Sequence, residues 1–236
     1  MTVKQACSIS ECRGCQSQNI IPVLSFAPTA LCESYSKIPT EEYIYPLEIC
    51  LCINCCLAQL QHIIPHEHLF ANYYQYPSCV VRKSRYTASY VASVLDRRNR
   101  IENPFVIQVG SHNGGLLNSF KESHCHVIGI ESNDRLAKIA RNNGIETKLG
   151  RFTPEVVKAI VREYGMADVI LVDNSFGYQH PDHIANTNEL RQYVRALSNL
   201  AKNDCLVVIQ TNDIGKMINQ RAFDLFYHEH CSYFSE

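Results

Sequence analysis

From Pro104 onward the chain alternates short apolar runs with amphipathic stretches, and that alternation restricts its fold more than any other feature. Residues 105–109, 127–130, 169–172 and 206–209 read as strands, too apolar to leave a face in water. Between them, residues 136–142 have helical spacing. A second helix is bracketed by Thr153 as N-cap, Pro154 in its first turn and Gly165 as its stop. Strand and helix taken in turn predict an α/β domain built on a parallel sheet with helices on both faces. Tyr86, Tyr90, Val94 and Leu95 recur at helical spacing just upstream, so a joining helix is expected before Pro104.

The N-terminal part follows another logic. Up to about Gln61 it mixes cysteine pairs, prolines and short β-prone runs such as residues 20–24, with little helical periodicity. Twelve cysteines in a chain that opens without an apolar leader segment are expected in a reducing cytoplasm, where they do not form a disulfide framework. Cys12-Arg13-Gly14-Cys15 and Cys52-Ile53-Asn54-Cys55 are two CxxC knuckles, separated by enough chain for a β-hairpin to return and complete a tetrahedron of thiolates. The alternative is that these are small buried apolar residues, which packing alone does not space in pairs. Cys50 and Cys56 flank the second knuckle and rank below the paired cysteines as ligands. A closed four-thiolate zinc site has no open position, so its expected role is structural.

A net charge of -1, from 22 basic and 23 acidic residues, gives no basic field for nucleic acid or an anionic membrane. No run is apolar and long enough to span a bilayer. Small-molecule chemistry is therefore the expectation.

Two segments carry that chemistry. In the first, the strand at 105–109 runs into Gly110-Ser111-His112-Asn113-Gly114-Gly115, a glycine turn opening a helix. Both the GxGxxG dinucleotide fingerprint and the phosphate-loop lysine are absent. Glu131 ends the next strand about twenty residues on, where an acid can accept both ribose hydroxyls of an adenosine, and Asn174 follows the strand at 169–172 to flank the same ligand.

The second segment, residues 223–234, concentrates His228, Glu229, His230, Tyr227 and Tyr233. Three readings stay open: a metal site using His228 and His230 from one side of an extended segment, a hydrogen-bonded structural loop, or an active site with a histidine base oriented by tyrosine and glutamate. His66-Glu67-His68 reads as a solvated first helical turn.

Taken in order, CRxC, Pro46-Leu47 leading to CxxC, Gln59-Leu60, Tyr74-Gln75-Tyr76-Pro77-Ser78, the GSxxG loop and FDxxYHEHxSYFS resemble the sugar C-methyltransferases, from Cys12 to Ser235. These use S-adenosylmethionine to methylate carbon 3 of a deoxyhexose on a deoxythymidine diphosphate carrier. The resemblance implies a Rossmann-like class I methyltransferase sheet with a small zinc-ribbon-like N-terminal domain. It divides the chain into a zinc-binding domain at 1–79, a linking helix at 80–103 and a cofactor-binding domain at 104–236. It implies zinc on Cys12, Cys15, Cys52 and Cys55. Gly110, Ser111, Asn113, Gly114 and Tyr76 would meet the cofactor, with Glu131 on its ribose. Tyr227, Glu229 and His230 match the catalytic positions, with His230 as base.

Departures from the pattern are equally specific. Family members carry acids where this chain has Gln108 and Gln210, and an Asn-Asp pair at His112-Asn113; each swap removes negative charge near a cationic cofactor. Around 177–181 the chain is one residue longer, so the family's cofactor-side histidine corresponds to Tyr178 or His180. Family members also continue into a further domain. Without it the strand at 206–209 is expected to be an exposed apolar edge, met by a partner chain or a separately encoded domain. A catalytically degenerate or partner-dependent remnant of the family is the alternative function.

Overall fold

The computed structural model describes residues 2–3, 6–32, 42–69, 83–97, 101–173, 175–177 and 189–235. Tyr76, Asn174, Tyr178 and His180, singled out above, lie outside the described residues. The chain divides into two compact units, one from residues 1–75, 177–191 and 211–236, the other from 76–176 and 192–210. The segment at 211–236, grouped above with the cofactor-binding domain, thus belongs to the same unit as the cysteine pairs.

The first unit is built of short strands: β1 (Thr2–Val3), β2 (Cys7–Ser8), β3 (Ile20–Ala30), β4 (Tyr43–Cys52), β5 (Ala58–Leu60) and β6 (His62–Ile63), followed by one helical turn, α1 (His66–Leu69), on which His68 is exposed. Tyr45, Leu47 and Ile49 of β4 are buried at a period of two, as a strand with one face on a core requires. Antiparallel β3 and β5 flank β4.

The second unit begins with α2 (Lys83–Arg97) and continues through β7 (Phe105–Val109), α3 (Gly115–Glu122), β8 (His126–Glu131), α4 (Asp134–Asn142), β9 (Thr147–Leu149), α5 (Pro154–Tyr164), β10 (Ala167–Asp173), α6 (Glu189–Leu200) and β11 (Ala201–Gln210). Its five strands are all parallel, in the order β11-β10-β7-β8-β9. Counted along this sheet the order is 3-2-1-4-5, a doubly wound form of the parallel, two-faced sheet that the alternation predicted and the Rossmann-like order that the resemblance implied. Alternate residues serve opposite faces. Ile107, Ile128 and Ile170 pack with Val157 and Ile160 of α5 and Ala196 and Leu200 of α6. On the other face Val106, Val127 and Val169 pack with Val91 and Val94 of α2 and Leu117 and Phe120 of α3. Phe120 has no exposed surface, so its truncation to alanine costs about 3 to 5 kcal/mol.

Local signals place the helices. Thr153 accepts the Val156 N–H, Pro154 starts α5, and Gly165, at φ 88, ends it. Asn133 caps α4 by accepting the Leu136 N–H at 3.1 Å. β9, which nothing in the periodicity announced, extends the sheet beyond β8. β11 forms the opposite edge, with Val207 37% and Ile209 41% exposed.

The chain then returns to the first unit through α7 (Ile214–Gln220), capped by Asp213, and β12 (Ser232–Tyr233). β12 pairs antiparallel with β5, Ser232 opposite Gln59 and Tyr233 opposite Ala58. Leu47, Ile49, Leu60, Met217, Phe226 and Tyr233 share the core this creates. Among the described residues no helix is long and apolar enough to cross a membrane.

Candidate functional site

The two knuckles meet. Cys12, at the start of the turn after β2, and Cys52, at the end of β4, bring Cys15 and Cys55 with them, and the four ligand sulfurs all lie within 4.8 Å of one another. Two of the spacings, Cys12 to Cys55 and Cys15 to Cys52, are 3.5 Å. A tetrahedron with zinc–sulfur bonds of about 2.3 Å needs sulfurs about 3.8 Å apart, so the donor set and its size both suit Zn²⁺. Burial pushes the Cys12 thiol up, but amide hydrogen bonds from Cys15 and Gly14 and the neighbouring Gln59 and Cys55 side chains outweigh it and bring it down to about 7. A thiol so poised gives up its proton readily to a metal. Cys50 is fully buried and pushed up to about 11 by desolvation, and neither it nor Cys56 joins the cluster.

The glycine loop is held in the second unit by its own backbone. The N–H groups of Gly110 and Ser111 both donate to the Ile130 carbonyl, at 2.9 and 3.1 Å. Gly114 adopts φ 78, and a Cβ there would meet Ile145 at 3.0 Å, so glycine satisfies both backbone and space. Glu131 is 4% exposed. Its Oε2 accepts the His112 N–H and its Oε1 the Asn133 N–H, each at 2.8 Å. The carboxylate therefore fastens the loop to β8, and each oxygen keeps a lone pair for another donor. His112, at φ 51, takes a left-handed conformation to present that N–H. Asn113 Oδ1 accepts the Gly115 N–H at the start of α3. Ser111 Oγ and Gln108 Oε1 are buried and have no hydrogen-bond partner among the described residues. Gln210 ends β11 in an exposed position.

In the first unit the histidine motif is buried: His228, Glu229 and His230 are each at most 2% exposed. A turn at 228–229, closed by the His230 N–H on the Tyr227 carbonyl, sends the two imidazoles to different neighbours. His228 meets Tyr45 edge-on, and burial holds its pKa below the ordinary histidine value. The His230 ring contacts those of Tyr227 and Tyr233, at centroid distances of 5.9 and 4.7 Å, with Nε2 3.4 Å from Thr211 Oγ1. Gly177 packs on this motif: its carbonyl accepts the Cys231 and Ser232 N–H groups, and a Cβ on it would meet the Ser232 carbonyl at 2.7 Å. Among the described residues only the four cysteines gather as a metal-binding group, so His228 and His230 do not build one together. Gln59 and Arg13, quoted above only as parts of motifs, contact the cysteine turn from β5 and from within the knuckle; nothing in their spacing indicated this.

Comparison with known proteins follows the same division. A family model described as a putative zinc binding domain matches residues 12–70. The C-methyltransferase NovU of Streptomyces niveus is 28% identical over 230 residues, 96% of this chain and 53% of that protein. The chain thus spans about half the length of the curated relative it matches. Among solved structures, an S-adenosylmethionine-dependent methyltransferase from Clostridium acetobutylicum has a TM-score of 0.44 at 14% identity, over 58% of this chain and 55% of that one. A methyltransferase from Archaeoglobus fulgidus has the same score and identity over 63% and 66%. Likenesses this distant carry no inference about this chain. The sequence matches carry more: residues 12–70 fit a zinc-binding family model, and nearly the whole chain is similar to a C-methyltransferase.

Proposed function

We propose that the chain is the cofactor-binding and proton-abstracting part of an S-adenosylmethionine-dependent C-methyltransferase acting on a nucleotide-linked keto-deoxysugar, with a deoxythymidine diphosphate carrier. The observation that carries this reading is the likeness to a C-methyltransferase along 96% of the chain. The loop suits the adenosyl cofactor: left-handed glycines let backbone approach a ligand, Glu131 keeps a free lone pair on each oxygen, and Ser111 Oγ is unpartnered among the described residues. S-adenosylmethionine, when bound, supplies an electrophilic methyl group.

The rest is the work of this chain's residues. His230 takes the proton from the carbon beside the sugar ketone. Tyr227 donates its hydroxyl hydrogen to the ketone oxygen as negative charge builds there. Glu229, the buried neighbour in sequence, favours the protonated imidazole once the proton has arrived. A positioned base supplies about 10² to 10⁴ in rate, roughly 3 to 5 kcal/mol, so oxyanion stabilisation must contribute much of the remainder. We also infer a partner chain on the β11 edge, supported by the exposure of Val207 and Ile209; a clean monomer by light scattering speaks against it.

The test is incubation of zinc-loaded protein with S-adenosylmethionine and a deoxythymidine diphosphate-linked keto-deoxyhexose in deuterated water. Gain of one methyl group by the sugar nucleotide, with solvent deuterium entering beside the ketone when cofactor is withheld, supports the assignment. If neither event occurs, the assignment fails. A second reading, a relative that has lost catalysis, is favoured by Gln108, a buried neutral amide where the family pattern has an acid. It expects weak or no cofactor binding together with an inert sugar.

A further inference from the structure

Gln59 lies in the middle of β5 with no exposed surface. On one side its backbone is opposite Cys50 of β4, two residues before Cys52; on the other it is opposite Ser232 of β12, two residues after His230. Its side chain leaves the sheet for the first knuckle. Oε1 accepts the Arg13 backbone N–H at 2.9 Å, and this bond fixes which end of the amide points away. That end, Nε2, is buried and has no hydrogen-bond partner among the described residues.

Arg13 makes a second connection. It sits between two cysteines of the cluster and is 4% exposed, and its Nη1 donates to the Leu60 carbonyl at 2.6 Å. Leu60 in turn donates its N–H to the Cys231 carbonyl at 2.9 Å. One short chain of hydrogen bonds thus leads from the first knuckle, through Leu60 of β5, to Cys231 on the C-terminal side of His230, and Gln59, which holds the Arg13 backbone, is the preceding residue of the same strand. A divalent cation on four thiolates leaves a net charge of -2. A buried guanidinium and a buried amide N–H are the groups that offset such a charge, and they are best held when it is present.

We propose that Gln59 and Arg13 are positioning residues that couple the cysteine cluster to the histidine motif, so that a metal ion closed to substrate sets how firmly residues 227–233 are held. The inference rests on reading the four cysteines as a zinc site and is independent of methyl transfer, because its readouts are zinc release and backbone exchange. Coupling of this kind is reciprocal: what loosens one end loosens the other.

The experiment uses the full chain and the variant Gln59→Leu, which keeps all four cysteines. Zinc-loaded Gln59→Leu should still hold one zinc per chain. It should release it to a chromophoric chelator about tenfold faster than wild type, and hydrogen–deuterium exchange across 227–233 should rise by a similar factor. Chelation should deprotect 227–233 in wild type but add little in the variant, while β7 and β8 stay protected in both. Wild-type values for either zinc release or exchange in the variant overturn the proposal, as does an equal response of the two proteins to chelation. If chelation also deprotects β7 and β8, the chain unfolds as a whole, and the zinc-loaded comparison alone decides by the same criteria. If Gln59→Leu does not fold, Gln59→Asn, which keeps the amide but shortens its reach, is held to those criteria.

Discussion

Gly129 is the point at which the cofactor loop rests on the sheet, and adding one methyl group there should lift the loop. A Cβ at this position would stand 2.3 Å from Ser111 Oγ and 2.7 Å from Ser111 Cβ. Contact between such atoms needs about 3.4 Å or more, so Ser111 must move by about 1 Å in a well-packed interior, at a cost of about 1 to 3 kcal/mol. That shift strains the two hydrogen bonds on the Ile130 carbonyl and the His112 N–H on Glu131, weakening the loop as a ligand platform. The structure also says which change should relieve it. Ser111 Oγ has no partner among the described residues, so Ser111→Gly removes the obstruction without breaking a hydrogen bond, at about 0.5 to 1 kcal/mol of backbone entropy. Urea denaturation followed by circular dichroism, suited to a chain with no tryptophan, should show Gly129→Ala destabilised and the double variant partly restored, with a coupling energy of at least ~1 kcal/mol. Wild-type stability in Gly129→Ala, or additive effects in the double variant, would refute this account of the loop.

Glu131→Ala should lose roughly 2 to 4 kcal/mol, because two backbone N–H groups lose a buried, charge-assisted acceptor; thermal unfolding within about 1 °C of wild type, ~0.3 kcal/mol, contradicts it. His228 makes a pH prediction. Burial depresses its folded pKa, so the unfolded state binds the proton first. The stability it contributes is then full above the ordinary value of 6.5 and is lost as pH falls from there through the folded value. The loss is at most ~1.4 kcal/mol per pH unit, and His228→Gln should flatten the dependence of the urea midpoint between pH 7.5 and 5.5; an unchanged slope removes His228 as its source. His230→Ala should lower turnover by about 10² to 10⁴ while leaving cofactor affinity intact, and undiminished single-turnover rates exclude His230 as the base.

The parts of this fold legible in the sequence are those written by local rules. Thr153, Pro154 and Gly165 bracket α5 because capping and proline chemistry act within a few residues, and 105–109 reads as a strand because both of its faces are covered. β9 escaped notice: Thr147-Lys148-Leu149 is three residues long with an amine at its centre and has one neighbouring strand. The pairing of β12 with β5 joins residues far apart in the chain, which no periodicity encodes. The two CxxC knuckles announced their cluster because spacing alone turns paired sulfurs to one point. In the histidine motif, spacing said less: the turn at 228–229 breaks the alternation that would have put His228 and His230 on one side. Glu131 was legible as the acid that ends β8. Its hold on His112 and Asn133 depends on loop geometry that the sequence does not spell out.

The most direct measurement of the central claim is calorimetric titration of S-adenosylmethionine, and of its demethylated product, into zinc-loaded protein. The account predicts one site of micromolar affinity for each, weakened at least tenfold by Glu131→Ala. No heat of binding from either compound at millimolar concentration would contradict it.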